Sequence, residues 1–573
     1  MSILTAAEQV KAIRKEWREK KKEPVELVIE RIRSGDAGEA GAQLLFRIEP
    51  EERERALQLL ESRVPALFDE ASPERKVEVL GFCVNLALDF GSFLPDWRAG
   101  APQTNTHFAD RLRSLAVELA AHAPDASGEL QAGLRNDMLA RLNAEGVSDE
   151  GEAGRIADGL LENGLGRYVE KMWGEYRASN TRRLAEACLK GETATALGND
   201  YAAFLEHALR VGASSQTTNP VLIKLAWDTD RDGWNRRVDR IILSAYDREA
   251  IRRTLNGSEE QRDAVIRRLN SLVTTAVVER NCRMLRDIFL MTDGREGYVN
   301  LQVSPESYAE SDAMVEQAVE VYEDLRGRLG GVPNVVIKVP ATPAGKEAAA
   351  QLTRRGIGVT MTLTFSMFQA IELAEVIRDG HALVSNIALM NGRLAYPVRD
   401  ELSAAEVAGG AEAARWAGVA AARRVYHRLY RPAAEGGMGI DPARVRLLIA
   451  SLRIYDDWFP DITEMLGVPV ITVFPNVRRA FDAHPRELNL GAVSDATPAA
   501  AIRTMLASEL FRQAWWIPED GEDGKPERPL SLAAADAEAV ASWTPVKDTL
   551  TQFIEGYHSM NRMIDERLRR LGE

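Results

Sequence analysis

The sequence is poor in cysteine, in long apolar runs and in basic charge, and each shortage excludes a class of protein. Its three cysteines, Cys83, Cys188 and Cys282, lie far apart without a CxxC motif, which fits a reducing compartment. No stretch reaches the roughly 18 apolar residues of a membrane-spanning helix. A formal net charge of −14 provides no basic surface for nucleic acid. We therefore predict a cytoplasmic protein that binds neither membranes nor nucleic acid.

Sequence motifs for cofactors are also missing. The chain has no GxxxxGK[ST] phosphate loop, no HExxH pair and no dinucleotide fingerprint at a strand-to-helix junction. The segment from Asp228 to Gly233 begins like a calcium-binding loop, but its twelfth position is Asp239 and its usually apolar eighth position is Asn235. We predict neither a metal ion nor an organic cofactor.

The first third of the chain differs in pattern from the rest. Up to about residue 190, apolar residues recur at the spacing of amphipathic helices, and no segment has the pattern of a strand. The helical segments have unequal lengths and share no signature positions, so they match no named repeat. Residues 1–190 are therefore predicted to form an all-helical domain of unknown role that can be separated from the remainder.

From about residue 195, short apolar or β-branched runs alternate with amphipathic helices. Such alternation predicts parallel strands joined by helices, and eight strands predict a closed (β/α)8 barrel over residues 191–573. A strong amphipathic pattern at 549–571 predicts a final helix that packs back onto the barrel. The predicted strands are 194–199, 212–218, 298–303, 335–339, 359–363, 382–387, 445–451 and 470–473.

The fourth of these strands contains a lysine in an apolar run. In a barrel strand, alternate residues face the helices or the interior, so Val335, Ile337 and Val339 on the helix side leave Lys338 inside. Burial disfavours the charged ammonium and lowers its pKa, which supplies the free amine that attacks carbonyl carbons. The run alone leaves open a lysine on an edge strand that reaches solvent.

Three segments resemble the transaldolase family. They are Gln216-Thr217-Thr218-Asn219-Pro220, the block VIKVPATPAGKEAAAQLTRRGIGVTMTLTFSMFQA at 336–370, and Ala450-Ser451-Leu452-Arg453. They occur in the family's order, and the resemblance covers about residues 195–570. It implies a barrel of the transaldolase type that forms Schiff bases, preceded by an extension that resembles nothing we recognise.

The resemblance also implies roles for single residues. Lys338 corresponds to the Schiff-base lysine, and Thr362 to the threonine that positions the catalytic water. The chain from Ser385 to Arg393 is longer than the family's usual pattern, which leaves the role of Ser385 open. The implied substrate contacts are Thr218, Asn219 and Ser385, and the implied phosphate contacts are Arg393, Ser451 and Arg453.

Two positions depart from the family pattern. Gln302 occupies the place of an acid that polarises water, and an amide cannot act as a general base. Glutamine at this place resembles the related fructose-6-phosphate aldolases. Near the first strand the only carboxylate is Asp200, but Gly198 or Asn199 could align with the family's acid instead, leaving Asp200 as a helix cap that faces solvent.

The function predicted from these residues is transaldolase activity in the pentose phosphate pathway of carbohydrate metabolism. A dihydroxyacetone unit would pass between sugar phosphates through a Schiff base on Lys338. The alternatives are an aldolase of the fructose-6-phosphate type, or a barrel that has lost turnover and serves as a binding or regulatory module. The predicted partners are a phosphorylated sugar and, through the N-terminal helices, a second copy of the chain or another protein.

Overall fold

The computed structural model describes residues 6–20, 25–98 and 102–573. Up to residue 189, the described part of the chain is helical and contains no strand, as the periodicity predicts. A separate domain ending near residue 190 stays a prediction. The α-helices of this region are α1 (Ala6–Lys20), α2 (Glu26–Ser34), α3 (Ala37–Ala42), α4 (Arg53–Asp69), α5 (Pro73–Phe90), α6 (Pro102–His122), α7 (Pro124–Ala144), α8 (Glu150–Leu161), α9 (Gly164–Ala178) and α10 (Asn180–Leu189).

Eight parallel strands then close into a barrel in chain order, and the first strand pairs with the eighth. The predicted (β/α)8 fold is therefore confirmed. The strands are β1 (Ala196–Asn199), β2 (Ala213–Gln216), β3 (Val299–Gln302), β4 (Val335–Pro340), β5 (Val359–Thr364), β6 (Ser385–Leu389), β7 (Val445–Ile449) and β8 (Val470–Val473).

Helices surround the barrel and continue beyond its last strand. Within the described ranges, no helix is long and apolar enough to cross a bilayer. These helices are α11 (Leu205–Arg210), α12 (Pro220–Thr229), α13 (Arg231–Ala245), α14 (Arg248–Leu255), α15 (Glu259–Met291), α16 (Ser311–Arg328), α17 (Pro343–Arg354), α18 (Met367–Arg378), α19 (Asn391–Ala404), α20 (Gly410–Ala414), α21 (Ala417–Tyr430), α22 (Pro460–Thr463), α23 (Pro475–Asp482), α24 (Ala499–Met505), α25 (Glu509–Trp515), α26 (Ala537–Ser542) and α27 (Thr544–Gly572).

The sixth strand begins later than the sequence predicts. The predicted strand covers 382–387, whereas β6 is Ser385–Leu389. Val384 packs with Phe289 and Tyr298 at the start of the barrel, so the apolar run extends beyond the hydrogen-bonded strand. The prediction was wrong here because burial alone does not mark where strand pairing begins.

The interior of the barrel follows the predicted alternation. Val335, Ile337 and Val339 belong to the apolar core shared with the helices, while Lys338 points inward. The residues that point inward also form a buried polar layer at the level of the lysine. Asn386 Nδ2 donates to Thr360 Oγ1 (2.9 Å), and Thr360 Oγ1 donates to Asn300 Oδ1.

The N-terminal helices share apolar contacts with the barrel. Val10 and Trp17 of α1 join Phe289 and Val336 in one buried cluster at the amino ends of the strands. Phe93, which is also buried, donates its backbone N–H to Arg210 O (2.9 Å) at the end of α11. The two parts of the molecule therefore meet through packed side chains as well as through the connecting chain.

Candidate active site

A cavity of about 450 Å³ opens at the carboxyl ends of the strands. In barrels of this kind, the loops at this end bring side chains from distant parts of the sequence together. The charged residues that line the cavity are Asp200 after β1, Lys338 on β4, Arg393 at the start of α19 and Arg453 after β7. The sequence had singled out all of them.

Lys338 lies in the wall of this cavity with only 6% of its surface exposed. Its Nζ donates to the backbone oxygen of Thr218 (3.3 Å) and lies 5.6 Å from the centre of the Phe553 ring. Burial lowers the pKa of Lys338 to about 8, with Asp200 opposing the shift and Arg393 adding to it. The amine therefore loses its proton more readily than an exposed lysine does.

Asp200 lines the same cavity. Thr217 Oγ1 donates to its Oδ1 at 2.5 Å. Burial raises the pKa of Asp200, while the attraction of Lys338 works in the other direction. The solvent-facing cap is excluded, because α11 begins at Leu205 with Phe204 as its capping residue. The structure thus brings a carboxylate to the cavity that holds the lysine.

Two threonines of β5 face the cavity. Thr362 is buried, and its Oγ1 donates to the sulfur of Met390 (3.7 Å). Thr360, which belongs to the polar layer, pairs in register with Lys338. Both threonines line the same cavity as Lys338.

Asn219 lines the cavity and also starts a helix. Its Oδ1 accepts a hydrogen bond from Leu222 N (3.0 Å), and Pro220 is the first residue of α12. Thr218 was predicted to contact substrate as well, but it is fully buried and its Oγ1 donates to Asn300 O (2.5 Å). Because adjacent residues of an extended segment point in opposite directions, Thr218 faces away and that prediction was wrong.

Gln302 lies next to Lys338 in strand register, yet its side chain does not line the large cavity. It lines a neighbouring cavity of about 20 Å³, which is room for about one water molecule. Its Oε1 is buried there without a hydrogen-bond partner. Thr218 and Asn219 border this small cavity too, and Asn219 also lines the main one.

Ser385 does not reach the cavity either. It is the first residue of β6, at the opposite end of the barrel, and its Oγ accepts a hydrogen bond from Val359 N (3.2 Å). The residues of this segment that line the cavity are Ala388, Met390 and Arg393. The prediction for Ser385 was wrong because the strand was placed too early in the sequence.

Arg393 and Arg453 form the positively charged end of the cavity. Arg393 Nη1 donates to Gln552 (2.7 Å), and the Arg453 guanidinium lies over the Tyr396 ring at 5.1 Å. In the described part of the chain, no carboxylate lies within ion-pair distance of either guanidinium. Burial, followed by repulsion from Arg453, lowers the pKa of Arg393 to about 10. This end of the cavity therefore favours an anion.

Ser451 lies between β7 and Arg453. It adopts a left-handed backbone conformation (φ 59°) that residues other than glycine seldom adopt. Its backbone oxygen accepts a hydrogen bond from Arg453 Nη1 (3.0 Å), and the backbone N–H of Arg453 donates to Asp461 (2.8 Å). The strained turn and the buried carboxylate together fix the direction of the arginine.

Sequence reasoning missed several cavity residues. Phe553 and Gln552 lie on α27, which the amphipathic pattern predicts but whose docking surface it does not specify. Tyr396, which lines the cavity, and Asp461, which accepts from the backbone of Arg453 without lining it, have no motif of their own. They become visible only once α19 and α22 are placed beside the end of β7.

The segment that begins like a calcium-binding loop is helical. Its residues lie on α12 and α13, which meet at Asp230, and Asp230 caps α13 by accepting from Gly233 N (3.0 Å). Asp228 pairs with Lys224, and Asp239 with Arg567. The carboxylates of this segment therefore serve as helix caps and ion-pair partners.

Comparison with known proteins agrees with this geometry. Residues 199–515 match the family described as transaldolase/fructose-6-phosphate aldolase, which is more than half of the chain. The chain belongs to this family. Residues 1–198, including the N-terminal helices, lie outside the match, as does α27.

Individual relatives match over shorter stretches. The transaldolase of Mycolicibacterium paratuberculosis is 31% identical over 251 residues, covering 40% of this chain and 64% of the relative. The transaldolase of Neisseria meningitidis is 29% identical over 168 residues, which is 29% of this chain and 41% of the relative. That of Thiobacillus denitrificans is 36% identical over 106 residues, or 18% and 28%. The chain thus spans less than two thirds of each of these relatives.

Proposed function

We propose that this protein is a Schiff-base enzyme that transfers a dihydroxyacetone unit between sugar phosphates. The observation that carries the proposal is the position of Lys338, a buried amine facing a cavity that also contains a carboxylate and two unpaired arginines. With a pKa of about 8, about a tenth of the amine is unprotonated at pH 7. The free amine is the form that attacks a carbonyl.

The proposed reaction uses the lysine and the carboxylate in turn. Lys338 Nζ adds to the C2 carbonyl of a ketose phosphate, and loss of water leaves an iminium. Asp200 then takes the proton of the C4 hydroxyl, and the C3–C4 bond breaks. The fragment from C4 onward leaves as an aldose phosphate, and the electrons of the broken bond convert the iminium to an enamine. The enamine attacks the carbonyl carbon of an acceptor aldose phosphate, Asp200 returns the proton, and hydrolysis frees the lysine.

The arginines would hold the phosphate group. Arg393 and Arg453 lack a carboxylate partner, so a phosphate that enters between them gains charge-assisted hydrogen bonds without breaking an existing ion pair. Asn219 and Thr362 would contact the sugar and the water near the lysine. No step of this scheme needs a metal ion or an organic cofactor. We propose that the reaction belongs to the pentose phosphate pathway of carbohydrate metabolism and takes place in the cytoplasm.

Gln302 favours a second candidate, an aldolase of the fructose-6-phosphate type. An amide can orient a water molecule but cannot take its proton. The ratio of enamine release to enamine transfer would therefore differ from that in a transferase with an acid at this place. The orphaned Oε1 in its own small cavity leaves the residue free to bind such a water. Transfer to an aldose phosphate remains our first candidate because Asp200 and Lys338 face one cavity.

Borohydride reduction tests the proposal. The protein is incubated with a ketose phosphate and borohydride, digested, and analysed by mass spectrometry. We expect the reduced sugar on the Lys338 peptide. The Lys338→Met variant should lose the adduct, whereas Lys346→Met, which removes a lysine that pairs with Glu372 outside the barrel, should retain it. An adduct spread over several lysines, or none, would contradict the proposal.

A further inference from the structure

One wall of the cavity is formed by the junction between β8 and α23. Phe474, Asn476 and Val477 line the cavity from this side. Because β8 pairs with β1 on one side and with β7 on the other, this wall stands between Asp200 and the loop that carries Arg453. Any shift of α23 therefore changes the space between the carboxylate and the arginines.

The middle of α23 is attached to the N-terminal helices by one carboxylate. Glu145 caps the end of α7, pairs with Arg141 of the same helix (3.4 Å), and contacts both Arg478 (3.0 Å) and Arg479 (3.3 Å). The side chains of Glu145 and Arg478 are 4% and 6% exposed. Water cannot readily replace either partner at this depth, so the contact holds the helix firmly.

The residue after Glu145 lies close to the wall itself. Gly146 has a left-handed backbone (φ 86°), and a Cβ added at this position would lie 3.4 Å from Asn476 Cβ. The end of α7 therefore lies beside Asn476, which lines the cavity, and contacts the arginines that follow it.

The far end of α23 is held by the junction between α9 and α10. Asp482 accepts hydrogen bonds from Ser179 Oγ (2.9 Å) and from Thr181 N (2.8 Å). Asn180, which is fully buried, donates through Nδ2 to Phe481 O (2.7 Å). The middle and the carboxyl end of this barrel helix are thus held by residues that precede the barrel in the chain.

We infer that the N-terminal helices position the β8–α23 wall of the cavity and that Glu145 is the principal positioning residue. This inference rests on the proposed function for its effect on substrate binding. Glu145 touches neither the lysine nor the cavity, so its loss shifts the wall and weakens binding of the sugar phosphate while leaving the amine in place.

The test compares Glu145→Gln with a matched control. Glu170 on α9 contacts two arginines, Arg113 and Arg167 (2.7 Å each), both within the N-terminal helices, and its side chain is 35% exposed. For Glu145→Gln in the full chain, we expect KM for a phosphorylated ketose to rise about tenfold with kcat within about twofold, since a small misplacement of a contact wall has effects of this order. Hydrogen exchange of the peptide 474–482 should accelerate. Glu170→Gln should leave both measurements unchanged.

Thr181→Val, which removes only a hydroxyl that bonds Asp482, gives a milder second variant in case Glu145→Gln does not fold. It should shift exchange of the same peptide and raise KM in the same direction. Equal KM and equal exchange in the Glu145 and Glu170 variants would overturn the inference. If the unmodified protein forms no borohydride adduct at Lys338, the proposed function fails. The positioning role of Glu145 is a separate claim, and it is rejected if hydrogen exchange at 474–482 is unchanged in Glu145→Gln.

Discussion

The barrel and the N-terminal helices contribute to the cavity in different ways. The barrel supplies the groups that would react, and each lies at the carboxyl end of a strand or in the loop that follows it. The N-terminal helices, in the part that the structure describes, supply no residue that lines the cavity. They contact the barrel from outside, at its amino end through α1 and at α23 through Glu145. The barrel therefore supplies the side chains of the cavity, whereas the N-terminal helices contact the elements that carry those side chains.

Cleavage within the N-terminal helices tests how firmly they are joined to the barrel. The chain around 148–150 is exposed between α7 and α8, so a protease at low concentration should cut there. We expect the two fragments to stay together during size-exclusion chromatography and to separate only in denaturant. Burial of Val10, Trp17 and Phe93 at this contact is worth roughly 5 kcal/mol or more, taking about 1.5–3 kcal/mol for each large side chain.

The sequence alone predicts the opposite, a domain of residues 1–190 that can be removed to leave an intact barrel. Fragments that separate in native buffer, with a barrel that remains folded and active, would support that prediction. They would also show that the packed contacts at α1 and α11 contribute little.

The next largest effect is expected for the barrel lysine. Lys338→Ala should lower kcat/KM by about a thousandfold or more, because it deletes the nucleophile while the arginines and Asp200 remain. The variant should keep its circular dichroism spectrum. Activity equal to that of the parent would exclude the Schiff-base reaction.

The same variant should change how stability depends on pH. The folded state lowers the pKa of Lys338 to about 8, so burying the protonated amine destabilises the protein below that pH. As pH rises above about 8, the folded protein releases this proton and the penalty shrinks. The melting temperature of Lys338→Ala relative to the parent should therefore be highest near pH 7 and fall toward pH 9.5. A difference that does not change with pH would mean that the amine is not buried in its charged form.

The sequence predicts much of the barrel because strand alternation is a local property. The run around Lys338 specifies which residue points inward, and the unpaired arginines follow from motifs at strand ends. The direction of a side chain just beyond a strand depends on neighbouring elements and not only on the nearby sequence. Thr218 and Gln302 turn into a second cavity, and register shifts within β1–β2 and β5–β6 pairing have no signal in the sequence.

Long-range docking escapes prediction for the same reason. Phe553 approaches Lys338 only because α27 lies across the barrel, and the amphipathic pattern of that helix shows which face is buried but not against what. Glu145 is a surface-type residue in the sequence, and only its contacts with Arg478 and Arg479 reveal a role. Periodicity predicts elements well, whereas contacts between elements depend on the whole fold.

A smaller effect is expected at the positively charged end of the cavity. Arg453→Ala should raise KM about 10- to 100-fold for phosphorylated substrates and change it little for unphosphorylated analogues, since a charge-assisted contact contributes about 1.5–3 kcal/mol. Arg415→Ala is the matched control, because Arg415 stacks on Tyr455 and pairs with Glu412 without lining the cavity. An equal change of KM for both kinds of substrate would make Arg453 a structural residue.

The smallest effect is expected at Gln302, where the choice between transferase and aldolase can be measured. Gln302→Glu would place a carboxylate next to Lys338 in strand register, which favours the protonated amine and the iminium by attraction and raises the pKa of the lysine above about 8. It would also supply a group that can take a proton from water, which glutamine cannot do.

We therefore expect the ratio of transaldolase to aldolase activity to rise about two- to fivefold in Gln302→Glu, with the pH at which activity reaches half its maximum moving upward. The measurement compares rates with one ketose phosphate donor, with and without an aldose phosphate acceptor. Gln317→Glu is the control, because Gln317 lines the same small cavity but lies on α16 rather than beside the lysine. If the ratio rises equally in both variants, the effect does not depend on the position beside the lysine. If the ratio is unchanged or falls in Gln302→Glu, the small cavity does not take part in water activation. Gln302 would then serve only to fill the space behind Thr218, and the comparison with the aldolases would lose its support.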